Sequence, residues 1–335
     1  MEKDILLLYN PKAGDTFFRF ELERFLNVFG NMGCTVRIFR SQYVGDMAEC
    51  IRRTNMEEMG LIIAAGGDGT VNEVLQAMME KNQRVPLGII PAGTTNDVAR
   101  FLEMPEDYGQ CIEVLCRQQM EAMNIGEVNG RFFMNRCGFG NMVSISQSTS
   151  QDMKNTFGKM AYYMKGVTQL PATDSFHLRV RTADGEYEGE FIMFLVLNGK
   201  ASRIQNHSFE VEDPVSDQLE FVGIRKGSSW ANHWMLFKSI RKVPSNQKWV
   251  LRIKADEMEI SSDDIPERMR VCYVDGEVGP EMPLKFTLHK NALQVITNRE
   301  CSTWNNVSKE LPMFHVEQPI NPEMEISESK GDQHG

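Results

Sequence analysis

LIIAAGGDGTVNEVLQAMME, residues Leu61 to Glu80, is the stretch whose reading decides the fold. Its apolar start is too short for a helix of its own and reads as a buried parallel strand. Gly66, Gly67, Asp68, Gly69 and Thr70 follow, and then Val71, Val74, Leu75 and Met78 fall on one face of a helix. Strand, glycine turn and helix together bring backbone N–H groups and a helix N-terminus to where a phosphate can sit. Glycine permits a close backbone approach that a Cβ would block. The alternative is a tight strand-to-helix turn capped by Asp or Thr. No Gly-Lys-Ser/Thr follows, so this is not a Walker A loop, and the spacing does not fit the dinucleotide GxGxxG.

Outward from this stretch the pattern repeats. Residues 4 to 9 read as a buried strand ending in Asn10-Pro11-Lys12-Ala13-Gly14, followed by a helix with Phe18, Leu22, Phe25, Leu26 and Phe29 on one face. Cys34 to Phe39 reads as a strand and Gly45 to Met59 as a helix. Pro86 to Ile90 reads as a fourth strand, then Pro91-Ala92-Gly93-Thr94-Thr95-Asn96-Asp97 and a short helix through Leu102. Alternating strands and helices with short connections predict a parallel sheet, whose ligands collect at the carboxyl edge where these polar loops line up.

Beyond about residue 120 the texture changes. Met120–Asn129, Arg131–Cys137, Phe176–Ala183, Tyr187–Leu197, Gln218–Ile224, Trp249–Ile253, Met269–Val274, Leu284–His289 and Leu293–Thr297 read as strands, with helical stretches near 153–168 and 229–241. The expectation is an α/β N-terminal domain with a parallel sheet, followed by an all-β, mostly antiparallel sandwich. The first domain spans 1–122 and is completed by 298–316. The sandwich spans 123–297, and 317–335 is a disordered acidic tail.

The 335 residues suffice for two domains, and 41% hydrophobic with 24% charged residues is ordinary for a globular protein. A net charge of −10 argues against a nucleic-acid partner. Phe191 to Leu197, the longest strongly apolar run, is too short to span a bilayer. MEKDILLLYNPKAG shows no export signal, and seven scattered cysteines without a CxxC read as reduced cytosolic thiols. His177, His207, His233, His289 and His315 have no ligand spacing, and the 22 methionines read as core filler.

Four motifs together carry a resemblance. Asn10-Pro-Lys-Ala-Gly14, Gly66-Gly-Asp-Gly-Thr70 with Val71-Asn72-Glu73, Pro91-Ala-Gly-Thr-Thr-Asn-Asp97 with Arg100, and Val274-Asp-Gly-Glu277 stand in the order found in soluble diacylglycerol kinase-like lipid kinases. The resemblance covers residues 1 to 315. GGDGT alone is shared with NAD kinases and phosphofructokinases; the set of four is specific. The resemblance implies a diacylglycerol kinase/NAD kinase-like fold, with ATP as phosphoryl donor bound in a cleft between the two domains, and transfer to a lipid hydroxyl. It implies nucleotide contacts at Asn10, Pro11, Lys12, Ala13, Gly14, Ser41, Gly66, Gly67, Asp68, Gly69, Thr70, Val71, Asn72, Glu73 and Thr94. It makes Glu277 the general base, with Asp275 supporting it. Asp68 and Asp97, beside a polyphosphate, imply Mg²⁺. Arg100 would hold the Asp97 carboxylate from three residues along the helix.

The family also carries a Leu-Asp-Asp-Gly pattern in which the second Asp and backbone carbonyls hold a structural Mg²⁺. Here the stretch reads Val215-Ser216-Asp217-Gln218-Leu219, so that Asp217 matches the carboxylate and Pro214 and Leu219 the carbonyl positions. Asn124 stands where many relatives have Asp before Ile-Gly, and Asn198-Gly-Lys-Ala-Ser-Arg-Ile replaces a glycine-rich run. These departures touch the acceptor side. They keep two alternatives to the lipid kinase in view: a relative that binds nucleotide or lipid without catalysis, and a kinase of a soluble acceptor.

Phe221 to Ala255 contains no Asp or Glu. It holds Arg225, Lys226, Lys238, Arg241, Lys242, Lys248, Arg252 and Lys254 with Trp230, Trp234 and Trp249. Such a window suits an anionic bilayer surface, which would place the protein in the cytoplasm, peripheral to the inner face of the membrane. The alternative is a helix packed on the sandwich with its basic residues in solvent. Whether the protein is a homodimer is not written in the sequence.

Overall fold

Strands made almost wholly of apolar residues form the first sheet. In the computed structural model, which describes residues 4–14, 18–82, 85–140, 175–199, 217–227, 250–265 and 270–299, these are β1 (Asp4–Tyr9), β2 (Val36–Arg40), β3 (Met59–Gly66) and β4 (Leu87–Pro91). They pair in parallel in the order β4-β3-β1-β2. β3 and β4 are buried throughout, whereas edge strand β2 is largely exposed and carries the chain's Val-Arg-Ile-Phe-Arg. Helices α1 (Phe18–Asn31), α2 (Asp46–Arg53), α3 (Asp68–Glu80), α4 (Asp97–Phe101) and α5 (Tyr108–Arg117) cover the sheet, with α2 packed on α3 and α1 on α5.

Two details differ from the sequence reading. The helix expected over Gly45–Met59 ends at Arg53, because the Thr54 hydroxyl donates to the Cys50 carbonyl at 2.7 Å and Asn55 caps a separate 3₁₀ turn, Met56–Glu58. Short polar side chains that bond the local backbone stop a helix in this way. α5 was not expected. Asp107 starts it by accepting from the Gln110 N–H at 2.9 Å, and Cys111, Ile112, Val114 and Leu115 go into the core.

The second region is built of β5 (Met120–Val128), β6 (Arg131–Phe133), β7 (Arg136–Gly140), β8 (Phe176–Thr182), β9 (Gly185–Asn198), β10 (Leu219–Arg225), β11 (Val250–Ala255), β12 (Glu257–Ser261), β13 (Val271–Val274), β14 (Glu277–Glu281) and β15 (Leu284–Ile296). Its pairings are antiparallel, in the path β14-β13-β7-β9-β8-β12-β15, with β5 and β6 continuing from β15, and β10 and β11 from β9. Arg131–Cys137, read as one strand, is two, and the two terminal runs are one strand, β15, bulged between His289 and Leu293. β12 and β14 escaped the reading; Met258 and Ile260 are the only core residues of β12, and Gly279 and Pro280 interrupt β14.

β5 and β15 run through both hydrophobic cores. Met123, Ile125, Leu293, Val295 and Ile296 belong to the first; Val128, Leu284, Phe286 and Leu288 belong to the second. β15 also joins β4 in parallel through Val295 opposite Leu87, and Asn298 N–H donates to the Leu102 carbonyl at 3.0 Å. One mixed sheet therefore connects the two cores. Phe139 stacks on Phe194 at 5.2 Å and Phe194 on Phe221 at 5.4 Å in the second core.

The helices expected near 153–168 and 229–241, Pro214, the three tryptophans of the basic window and the acidic tail lie outside the described residues. Of that window's cations, Arg252 is nearly buried and sits 2.5 Å from Glu220, and Lys226 is 3.7 Å from Glu190. Among the described residues no helix is long and apolar enough to cross a membrane. Their cysteines are free thiols, and burial pushes those of Cys111 and Cys116 up to about 12.

Candidate active site

β1, β3 and β4 end side by side, and their loops are laced together by backbone. Asn10 N–H donates to Ala65 at 3.0 Å, Ala92 N–H to Gly66 at 2.9 Å, and Ser41 N–H to Tyr9 at 2.9 Å. A Cβ on Gly14, whose φ is +51°, would lie 2.2 Å from the Ala92 carbonyl oxygen, and one on Gly93 would lie 2.4 Å from the Gly67 Cα. Only glycine allows these loops to meet, and the result is a wall of backbone rather than side chains. Asn10 shapes its rim: its side-chain oxygen accepts from Lys12 N–H at 2.9 Å and its amide reaches the Thr70 hydroxyl at 3.4 Å. Pro11, Ala13 and Ser41 are half-buried around it, and Lys12, Gly14 and Thr94 are exposed.

At the start of α3, Asp68 accepts from the Asp97 N–H at 2.6 Å and so fixes the start of α4. Burial first, and the Asp97 charge second, raise its pKa. Val71 and Asn72 are buried, and Glu73 points elsewhere. Its carboxylate accepts from Met47 N–H at 2.9 Å and Ala48 N–H at 3.2 Å and caps α2. Arg100 does not hold Asp97. It is exposed and pairs with Glu106 at 3.1 Å, while Asp97 faces the cleft.

The other wall comes from the second region. β13 and β14 join through Asp275 and Gly276, at φ +47° and +89°, with Val274 paired to Glu277. Two left-handed residues give the tight hairpin for which Asp-Gly is suited. The carboxylate of half-buried Asp275 accepts from the backbone N–H groups of Met134 at 2.8 Å, Asn135 at 3.1 Å and Arg136 at 2.8 Å. Burial nevertheless pushes its pKa up to about 6.

This position orients Glu277. Its Oε2 accepts from the Asn72 amide at 2.9 Å and from the Arg131 guanidinium, while its Oε1 approaches Gly69, where a Cβ would stand 3.1 Å away. Gln76 donates to Asn72 Oδ1 at 3.1 Å and grips the Phe132 backbone, donating to its carbonyl at 2.6 Å and accepting from its N–H at 3.0 Å. That chain of bonds fixes which way the Asn72 amide faces. Gln76, Arg131 and the buried Asn135 were not foreseen. Gln76, one turn after Asn72, and Arg131, just past an Asn129-Gly130 turn, were the available signals, but their partners lie too far along the chain to read.

Between the walls lies an open cleft lined by Asp68, Asn72, Asp97, Asn135, Arg136, Asp275 and Gly276 with Val71, Leu75, Val98 and Met134. Polar groups converge on a partly apolar floor, as in a site for an amphipathic ligand. Asp68 and Asp97 bring two carboxylates to this cleft, the oxygen ligands that a hard divalent cation takes, and among the described residues no group of three or more His, Cys, Asp or Glu side chains comes together as a metal site. Asp217 is not among the cleft residues. It precedes β10, accepting from the Asn124 amide at 2.8 Å, and the Leu219 side chain is buried in the second core.

Asp275 makes a pH prediction. Its folded pKa, about 6, exceeds the ordinary 3.8, so the unfolded chain binds fewer protons between these values. Stability from this group is present below pH 3.8 and is lost as pH rises through about 6. At about 1.4 kcal/mol per unit the loss is on the order of 3 kcal/mol. Urea unfolding across this range should show that decline in the protein relative to Asp275→Asn, whose side chain does not titrate.

A family model for the diacylglycerol kinase catalytic domain matches residues 4–128. A diacylglycerol kinase of Staphylococcus saprophyticus is 31% identical over 300 residues, covering 89% of this chain and 96% of its own. The crystal structure of a diacylglycerol kinase from Bacillus anthracis superposes with a TM-score of 0.71 at 23% identity, over 88% of this chain and 97% of that one. An NAD kinase from Archaeoglobus fulgidus, solved in complex with ATP, gives 0.51 at 13% identity, over 88% and 94%. These two structural likenesses are likenesses of fold.

Proposed function

Because the chain belongs to the diacylglycerol kinase family and is a lipid kinase, we propose that it transfers the γ-phosphate of ATP to the hydroxyl of diacylglycerol or a closely related lipid, with Glu277 as general base. The observation that carries this reading is the position of Glu277. One carboxylate oxygen is held by Asn72 and Arg131, and the other is turned toward Gly69 of the glycine loop.

The bare backbone of Gly14, Gly66–Thr70 and Gly93 supports the ATP phosphates, with Asn10, Ser41 and Thr94 at the rim. The lipid hydroxyl enters the cleft, Oε1 of Glu277 takes its proton, and the alkoxide oxygen bonds to the γ-phosphorus as the bond to the ADP oxygen breaks. Phosphoryl transfer demands mainly positioning and charge neutralisation. Mg²⁺, carried with the nucleotide, supplies charge neutralisation when bound, and Asp68 and Asp97 are the residues that would hold it. In this reading residues 1–122, closed by 298–316, serve the nucleotide, and residues 123–297 serve the acceptor and carry the base. The lipid is met at the cytoplasmic face of the membrane, and the enzyme touches it peripherally through the 225–254 window.

Radiolabelled ATP offered with vesicles containing diacylglycerol should give labelled lipid; no label in any lipid, at any Mg²⁺ level, would overturn the proposal. Labelled NADP formed from NAD would instead favour the soluble acceptor. Gly93→Ala should raise the Kd for ATP at least ~10-fold, about 1.4 kcal/mol, and lower stability by about 1–3 kcal/mol, because its Cβ forces the Gly67 loop away. Nucleotide titration and thermal unfolding would test both effects.

A further inference from the structure

We infer that the Asn124 amide takes the place of a structural cation at Asp217, so that this chain needs no Mg²⁺ to hold β10 against the junction of its two cores. Asn124 lies in β5 and is 1% exposed. It sits opposite the β15 bulge, where pairing passes from Ile125–His289 to Met123–Leu293. The bulge turns the Asn291 N–H, from a residue at φ +49°, onto Asn124 Oδ1 at 2.8 Å.

That bond decides the chemistry. A backbone N–H can only donate, so the atom facing it must be the amide oxygen. The NH₂ group is therefore turned to Asp217, and it donates to Oδ1 of that carboxylate at 2.8 Å. A cation ligand must offer a lone pair, and an N–H pointed at the carboxylate offers none. An amide donor therefore already occupies one oxygen of the carboxylate that the family pattern gives to a metal. Asn198 completes the junction by donating to the Asn124 carbonyl at 2.6 Å and the Met134 carbonyl at 2.9 Å.

Asn124→Asp would keep the acceptor for Asn291 and place a second carboxylate oxygen against Asp217. Two such oxygens stay together only with a proton or a cation between them. The test is thermal unfolding of the full chain without nucleotide, in EDTA and in excess MgCl₂, for the protein, Asp217→Asn and Asn124→Asp. The response to Mg²⁺ should be the same in the protein and in Asp217→Asn, since any common response belongs to other carboxylates. Asn124→Asp should melt lower in EDTA and recover a larger part of its midpoint in MgCl₂ than either. Mn²⁺ titration followed by electron paramagnetic resonance, on the protein and Asp217→Asn alone, should count equal numbers of bound ions. That count stands even where Asn124→Asp does not fold. A Mg²⁺-dependent rise in midpoint, or a bound Mn²⁺, that Asp217→Asn abolishes would overturn the inference.

Discussion

Glu277→Gln is expected to lower kcat by about 10²–10⁴-fold, the range over which a positioned base contributes to proton transfer. The substitution suits the geometry because the amide is nearly isosteric with the carboxylate. It can still accept the Asn72 amide at the Oε2 position, so the bridge from α3 to β14 and the thermal midpoint should survive. KM for ATP should stay within a few-fold, since the glycine wall is backbone and does not involve the substituted atom. A fall in kcat with both KM values steady locates the loss in the transition state. If kcat stays near that of the protein, the base is elsewhere. Arg131→Lys provides a graded companion: a lysine can keep the charge beside Oε2 but not the planar fork, so its loss should be smaller than that of Arg131→Ala.

The sequence was most legible where local rules suffice. Leu61 to Ala65 reads as a buried strand, the glycines from Gly66 as a close turn, and the period of Val71, Val74, Leu75 and Met78 as a helix facing a core; the helix begins earlier than that period shows, at Asp68, so that Gly67 alone separates β3 from α3. The Asp275-Gly276 hairpin was equally local. What could not be read was set by long-range geometry. Arg100 lay at the right spacing to reach Asp97, yet its guanidinium goes outward to Glu106. Glu73 belongs to a motif but spends its carboxylate on the α2 backbone, 25 and 26 residues away. Asn124 reads in the sequence only as a departure on the acceptor side; the bulge of β15, 167 residues on, shows which way its amide is turned. β12 escaped because two buried side chains do not make a pattern.

Arg252→Ala is expected to destabilise the fold by about 3–5 kcal/mol, because it strands a buried charge on β10, on the face turned away from Leu219 and Phe221. Glu220 lies in β10 between β9 and β11 and is fully buried. Its Oε1 is 2.5 Å from the Arg252 guanidinium, and its Oε2 is buried with no hydrogen-bond partner. Removing the arginine leaves a carboxylate that must either protonate or draw water into the sheet. Glu220→Gln/Arg252→Met should recover much of the loss, since both charges go together and the apolar length of the arginine is kept. The double-mutant cycle, read by urea unfolding, therefore separates a buried pair from a surface cation. It also bears on how the protein meets a bilayer. A residue counted by its sequence neighbours among the cations of a membrane-facing patch is here committed to an internal carboxylate. Arg252→Ala should accordingly change stability far more than binding to anionic vesicles, measured below its melting range. If vesicle binding falls while urea stability holds, Arg252 faces the membrane after all and the pair with Glu220 carries little.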